Sequence, residues 1–374
     1  MTISRFLVAG AIGLAFAYLV TPFVAWIATR LRILAQPGGR HIHVAPIPRL
    51  GGIAIYTAFV AAVLAGLPVN RSIGVAVEAH NILVTIPFSP AFDWPVIGVL
   101  IGASIITIVG ILDDVRGISP MEKLFGQLVA AVIPPVFGIG MDVLTNPFGG
   151  MVFLGPFGVA LTVLWLVALC NVMNLIDGID GLATGIASIA AVTVFIASYG
   201  RGDAATAILS VALIGATLGF LPFNFNPARI FLGDTGSMLL GYLLGSLSLL
   251  GTYKSYTALS LLVPLVALGV PVLDTALAIL RRWRTGRPIF QADTEHLHHR
   301  LLQRGLTQRQ TAVGLYLVTG ILGAGALIAS GVHRFSLVAV LGFLVAALAF
   351  GARRTGLLAA PAAPPMAGRH EIPK

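Results

Sequence analysis

Apolar residues in this chain come in long unbroken runs, without the strict alternation of a half-buried strand or the single stripe of a surface helix. Eleven runs reach the length needed to cross a bilayer, about 17–25 residues. They lie at roughly 6–29, 51–69, 94–112, 124–141, 157–176, 182–199, 204–223, 236–252, 257–280, 311–332 and 335–352. Barrel strands would alternate in segments of about ten, so the pattern predicts an all-α polytopic membrane protein with about eleven transmembrane helices. The first run is too long for a signal-peptide core, lacks a small-x-small cleavage site and ends in Arg30 and Arg32, so it reads as a helix. Residues 1–352 form one integral membrane domain. The Ala- and Pro-rich tail, 353–374, reads as disordered, and a short hairpin around Gly149-Gly150 is expected within 141–157.

Composition removes the soluble alternatives. Hydrophobic residues make up 57% of the chain and charged residues 10%, against about 25% charged in soluble domains. The single cysteine, Cys170, lies inside the fifth run, which excludes a disulfide framework and a thiolate metal cluster. The net charge of +9 is distributed unevenly. The loops at 30–50, 113–123, 171–181, 224–235 and 281–310, with the tail, hold 18 of the 23 basic residues. That bias assigns these loops to the cytoplasm and the N-terminus to the outside. It explains the positive charge without nucleic-acid binding.

The same loops collect the groups that can do chemistry. Ten of the 14 acids and six of the eight histidines fall in them or at their membrane edge. Asp113 and Asp114 close the third run in GILDDVRG. Adjacent helical side chains point about 100° apart, so the two reach one ligand only where the helix ends. Two acids at a helix C-terminus oppose its dipole and call for a cation: magnesium, or Arg116 or Lys123. In FNFNPARIFLGDTGSMLLGY, Asp234 sits in a Gly-rich turn before a helix, where it either caps the helix or bridges phosphate through Mg²⁺.

RRWRTGRPIFQADTEHLHHRLLQRG sets four arginines before His296, His298, His299 and Arg300. The surroundings suit magnesium and phosphate better than zinc; a headgroup-binding basic loop would explain the arginines but not the histidines. In HIHVAPIPRLGG, His43 and Arg49 can meet a phosphate or a lipid headgroup, and Gly51-Gly52 permits tight helix packing. Asp274, inside the ninth run, is either a buried structural partner for an arginine or part of the site. NVMNLIDGIDGLATG carries Asn171, Asn174, Asp177 and Asp180 at three-residue intervals. On one helix they would fan over half the circle. With the glycines, the better reading has Asn171 and Asn174 finishing the fifth helix, Asp177 turning the corner and Asp180 standing near the start of the sixth.

Taken in this order, PIPRLGG, ILDD, NVMNLIDGIDGLATG, FNFNPARIFLGDTGS and HLHHRLLQRG resemble the polyprenyl-phosphate N-acetylhexosamine-1-phosphate transferases. PIPRLGG and the H-x-H-H loop look like the branch that uses UDP-GlcNAc and undecaprenyl phosphate. The resemblance implies attack of undecaprenyl phosphate on the β-phosphorus of a UDP-HexNAc, giving the lipid diphosphate sugar and UMP. It places Asp113 and Asp114 near the lipid phosphate or metal, and gives Asp234 and Asp114 to Mg²⁺, with Mn²⁺ as the alternative ion. Phe231 would stack on uracil. Asn171, Asn174, Asp177 and Asp180 would line the nucleotide-sugar pocket, and Arg49, His43, His296, His298, His299 and Arg300 would hold phosphate groups. It further implies a bacterial inner-membrane enzyme with its site on the cytoplasmic face, and leaves a homodimer open.

Other donors, UDP-6-deoxy-HexNAc, GalNAc-type sugars or UDP-MurNAc-pentapeptide, share this chemistry. The rival class is a secondary transporter, whose sites lie near the midplane; here only Asp274 lies appreciably inside. A non-catalytic scaffold leaves the order of motifs unexplained.

Overall fold

The computed structural model describes residues 3–36, 46–66, 94–145, 151–253, 265–284 and 296–330, with the backbone of four short strand segments between 69 and 90. Eight helices come first: α1 Ile3–Arg30, α2 Gly51–Gly66, α3 Trp94–Arg116, α4 Pro120–Val136, α5 Pro156–Ile176, α6 Leu182–Gly200, α7 Ala204–Asn224 and α8 Gly233–Tyr253. Three follow: α9 Gly269–Arg284, α10 Leu297–Gln303 and α11 Gln308–Ser330. Ten of the eleven predicted runs meet a described helix, the ninth only in part; the run at 335–352, the tail and His43 lie outside the described residues. Among the described residues, six helices are long and apolar enough to cross a membrane: α1, α3, α5, α6, α7 and α11.

The all-α expectation needs one amendment, since short antiparallel pairs join the helices. Leu34–Ala35 pairs with Ile47–Pro48, and Ile73–Val77 with Ile82–Ile86. The expected hairpin is present, with Val143–Thr145 paired to Met151–Phe153. Its turn, which contains Gly149-Gly150, lies outside the described residues.

Helix ends deviate from the hydropathy runs where capping intervenes. The fourth run predicts a start near 124, but α4 begins at Pro120. Ser119 accepts from the Glu122 amide while Glu122 accepts from the Ser119 amide, a reciprocal cap that outranks hydropathy in setting the boundary. α3 runs on to Arg116, so Asp113 and Asp114 belong to its last helical turn and their side chains diverge.

The core centres on α8, whose residues from Met238 to Leu250 are, apart from Tyr242, apolar or small, and all are buried, as expected of a helix without a polar face. By contrast, α1 turns Leu7, Leu14, Leu19, Phe23 and Trp26 outward, the distribution expected of a lipid-facing helix. Close approaches fix α8. A Cβ on Gly52 would fall 2.2 Å from Gly236 N, and one on Gly110 would fall 2.3 Å from Thr235 Cα. α2 and α3 therefore meet the first turn of α8 backbone to backbone, which bears out the packing expected of Gly51-Gly52.

Gly52→Ala should destabilise the protein by about 1–3 kcal/mol, the usual cost of overpacking. Gly314→Ala, where nothing lies within 4 Å, should be neutral or slightly stabilising. Thermal unfolding in detergent reads both. Equal melting temperatures for the two variants would contradict the backbone contact.

Candidate active site

The site forms where the N-terminus of α8 meets the ends of α2, α3 and α5. The segment 46–52 runs beside 231–232. Phe231 N donates to Pro48 O (2.8 Å), Gly51 N to Phe231 O (3.0 Å) and Gly52 N to Leu232 O (3.0 Å). These bonds bring Arg49 and Phe231 to the rim of an open cleft. Asp114, Asn174, Asp177, Gly178, Asp180, Asn224, Asp234 and Gln308 line its remainder.

Asp114 reaches across to α8. Its carboxylate accepts from Asp234 N (3.0 Å), Thr235 N (2.9 Å) and Thr235 Oγ1 (2.6 Å). Gly233, at φ +72°, leaves room for it, since a Cβ there would lie 2.4 Å from Asp114 Oδ2. An acid from one helix thus caps another, satisfying amides that have no intrahelical partner and meeting the positive end of its dipole. Asp114 was expected as a metal ligand beside Asp234; in the structure its carboxylate oxygens hold the first turn of α8.

Asp113 turns the other way. Lys123 Nζ, on α4, lies 2.8 Å from Asp113 Oδ2, 2.9 Å from Asp234 Oδ2 and 3.4 Å from Asn174 Oδ1. Asn174 Nδ2 in turn donates to Asp234 Oδ1 and Ser237 Oγ. Three oxygens from three helices thus converge on one cation. An oxygen-only donor set suits a hard divalent ion, so Asp113, Asp234 and Asn174 fit magnesium. Among the described residues no group of three or more His, Cys, Asp or Glu could hold a metal unaided.

The turn after α5 follows its expected course. Asn171 and Asn174 lie in the last turns of α5, Asp177 caps it, and Asp180 precedes α6, which starts after Gly181 at φ +78°. Asp180 Oδ2 accepts from Asn226 Nδ2 (2.9 Å) and Ala228 N (3.0 Å), bracing the 226–228 turn. Asn171 does not join the cleft; it bonds Gln127 and Val167 O, tying α5 to α4. The glycines serve side-chain packing. His298 Nε2 would lie 2.1 Å from a Cβ on Gly178, and the Tyr316 ring occupies the space a Cβ on Gly185 would need. Tyr316 Oη also donates to Gly181 O.

Asp177 is the unusual acid. No hydrogen bond to its carboxylate is formed among the described residues, although part of its surface opens to the cleft. The protein packed around it withholds water, and Asp234, Asp114 and Asp180 add like charge, so its carboxyl is pushed well above the usual range despite Arg49.

The histidine loop stands against the turn and outside the cleft lining. Asp274 accepts from Leu297 N (2.9 Å) and pairs with His296 Nδ1 (3.0 Å), anchoring α10 to α9. It is therefore a structural partner, and of a histidine. His298 is buried, and among the described residues neither of its ring nitrogens has a hydrogen-bond partner. Burial holds it neutral, pushed down to about 3. His299 and Arg300 are half-buried on the same helix. None of the four lines the cleft among the described residues; they stand behind the turn after α5. Thr235, Gln308, Asn224 and Tyr316 were not singled out from sequence. Thr235 and Asn224 carried a signal, as parts of the GDTGS turn and of the FNFNP stretch before it.

Residues 96–252 match the family described as Glycosyl transferase family 4. A Bacillus subtilis (strain 168) protein named "Probable undecaprenyl-phosphate N-acetylglucosaminyl 1-phosphate transferase" is 37% identical over 95% of this chain and 93% of its own length. A decaprenyl-phosphate N-acetylglucosaminephosphotransferase of Mycobacterium leprae is 37% identical over 83% of this chain and 80% of its own. The undecaprenyl-phosphate alpha-N-acetylglucosaminyl 1-phosphate transferase of Escherichia coli K12 is 27% identical over 85% and 82%.

A carboxyl whose pKa is raised on folding holds its proton more tightly in the folded state. Its ionised form then subtracts stability. The loss is absent below the unfolded value, 3.8, grows as pH rises from there, and is complete above the raised value. Asp177→Asn should therefore melt about 2–4 °C or more above the parent near neutral pH, with the gap closing toward about pH 4. A variant less stable than the parent at neutral pH would contradict this.

Proposed function

We propose a reaction for this chain from the premise that it belongs to glycosyl transferase family 4. It transfers N-acetylglucosamine 1-phosphate from UDP-GlcNAc to a polyprenyl phosphate, undecaprenyl phosphate in our reading. An acceptor phosphate oxygen bonds to the sugar-bearing phosphorus, the bond from that phosphorus to the bridging oxygen breaks, and UMP leaves with that oxygen. The observation that carries this reading is the meeting of three sets of groups at one cleft: the acids Asp114 of α3 and Asp234 of α8, the acid-amide turn after α5, and Arg49 with Phe231.

Roles follow from placement. Phe231 offers a ring to the uracil, and Arg49 a guanidinium to the diphosphate, where charge-assisted bonds are strong. Asp177, with its carboxylate unengaged, is the group left to meet the donor. Asp180 acts through the 226–228 turn. Asp113, Asp234 and Asn174 would hold magnesium, or manganese in its place. The bound ion would neutralise the diphosphate during transfer. A phosphomonoester has a second pKa near ~6, so the acceptor is mostly dianionic at neutral pH and needs little help from a base. Asp113 then acts by placement and charge.

In this reading the chain crosses a bacterial inner membrane eleven times, with its N-terminus outside and the cleft at the cytoplasmic face. The lining residues support that orientation, because nearly all come from the loops that carry most of the basic residues or from helix ends beside them.

Detergent-solubilised protein given UDP-GlcNAc, undecaprenyl phosphate and Mg²⁺ should release UMP, and chelation should stop it. Absence of UMP with every UDP-HexNAc tried would overturn the reaction. Asp113→Asn should lower turnover by about tenfold or more at every pH. Full recovery at high pH would instead make Asp113 a general base.

A further inference from the structure

The sequence named Lys123, with Arg116, only as a counter-charge, yet it sits behind the cleft against two of the residues that line it, Asn174 and Asp234. Its ammonium carries three N–H donors and faces three oxygens: Asp113 Oδ2, Asp234 Oδ2 and Asn174 Oδ1. The lysine comes from α4 and the oxygens from α3, α8 and α5, so four helices meet at one nitrogen. Its side chain is only 17% exposed and that of Asp113 11%. Both oxygens of Asp234 are engaged, one by Lys123 and the other by Asn174. A divalent cation approaching Asp234 and Asp113 would share their oxygens with an ammonium a few ångströms away, and the two positive charges repel.

We propose that Lys123 is a resident counter-cation that holds the Asp113–Asp234 pair together before the metal arrives and is displaced from it when the metal binds. The displaced ammonium stays within reach of the cleft on its four-carbon stem, where it becomes a donor to a phosphate group. The device prevents two facing carboxylates from standing unpaired, at the cost of weaker metal binding. It rests on the magnesium reading above and adds to it that ion and lysine compete.

The chain contains three lysines, Lys123, Lys254 and Lys374, so a wild-type measurement is available. The full-length protein in detergent is treated with an amine-reactive acylating reagent, and labelling of each lysine is followed by mass spectrometry. Magnesium chloride is added alone and together with UMP. Magnesium should raise the labelling rate of Lys123 severalfold relative to Lys254 and Lys374, because the ammonium loses its two carboxylate partners. In parallel, Lys123→Met should melt below the parent without magnesium, and its melting temperature should respond to magnesium at concentrations at least tenfold lower. Magnesium that stabilises the parent but leaves Lys123 labelling unchanged or reduced overturns the displacement and leaves the metal reading standing. A Lys123→Met midpoint equal to or above the parent's does the same. No response of the parent to magnesium in either condition overturns both.

Discussion

The bond between the Asp114 carboxylate and the first turn of α8 is the contact from which the site takes its shape. A helix that begins at a polar boundary presents amides with no intrahelical acceptor. Here two of them, with the Thr235 hydroxyl, are taken by an acid from another helix. Hydrogen bonds to a charged group contribute about 1.5–3 kcal/mol each, and this arrangement gathers three. It works only because Gly110 and Gly233 let the two backbones approach. Once α3 and α8 are locked, Asp234 must face Asp113 and the end of α5, and the 231–232 segment is held where Pro48, Gly51 and Gly52 can bond it.

That locked geometry concentrates negative charge, and the neutralisation is uneven. Asp113 and Asp234 share Lys123, and Asp180 is braced by the 226–228 turn. Asp177 is left in sight of three other acids with Arg49 as its counterweight. Strain of this kind is tolerated where a ligand relieves it. A UDP-sugar with its cation would bring further positive charge and hydrogen-bond donors to Asp177, which has Arg49 as its counter-charge. The histidine loop supports the same turn from outside the cleft, with Asp274 fixing His296 and His298 filling the space that Gly178 leaves.

What the sequence disclosed depended on how local the cause was. The helix runs, the corner at Asp177, the hairpin before α5 and the packing role of Gly51-Gly52 follow from patterns within a few residues. The partition of Asp113 and Asp114 does not. It depends on α3 continuing one turn past its apolar run and on α8 arriving 120 residues later. Likewise Asp274 and His296 are 22 positions apart, and nothing in either neighbourhood names the other. The glycines of the 171–185 stretch were read as turn formers. Gly181 is one, while Gly178 and Gly185 owe their smallness to His298 and Tyr316, which no local pattern reveals.

The role of Asp114 as the cap of α8 is tested most directly by a double-mutant cycle on UMP release with Asp114→Asn and Thr235→Val. If Asp114 acts through the α8 terminus, the two substitutions remove parts of one arrangement. The double variant should then lose less than the sum of the singles, with a coupling of about 1 kcal/mol or more. If Asp114 instead ligates the metal independently of Thr235, the losses should add within about 0.5 kcal/mol, and the account would be wrong.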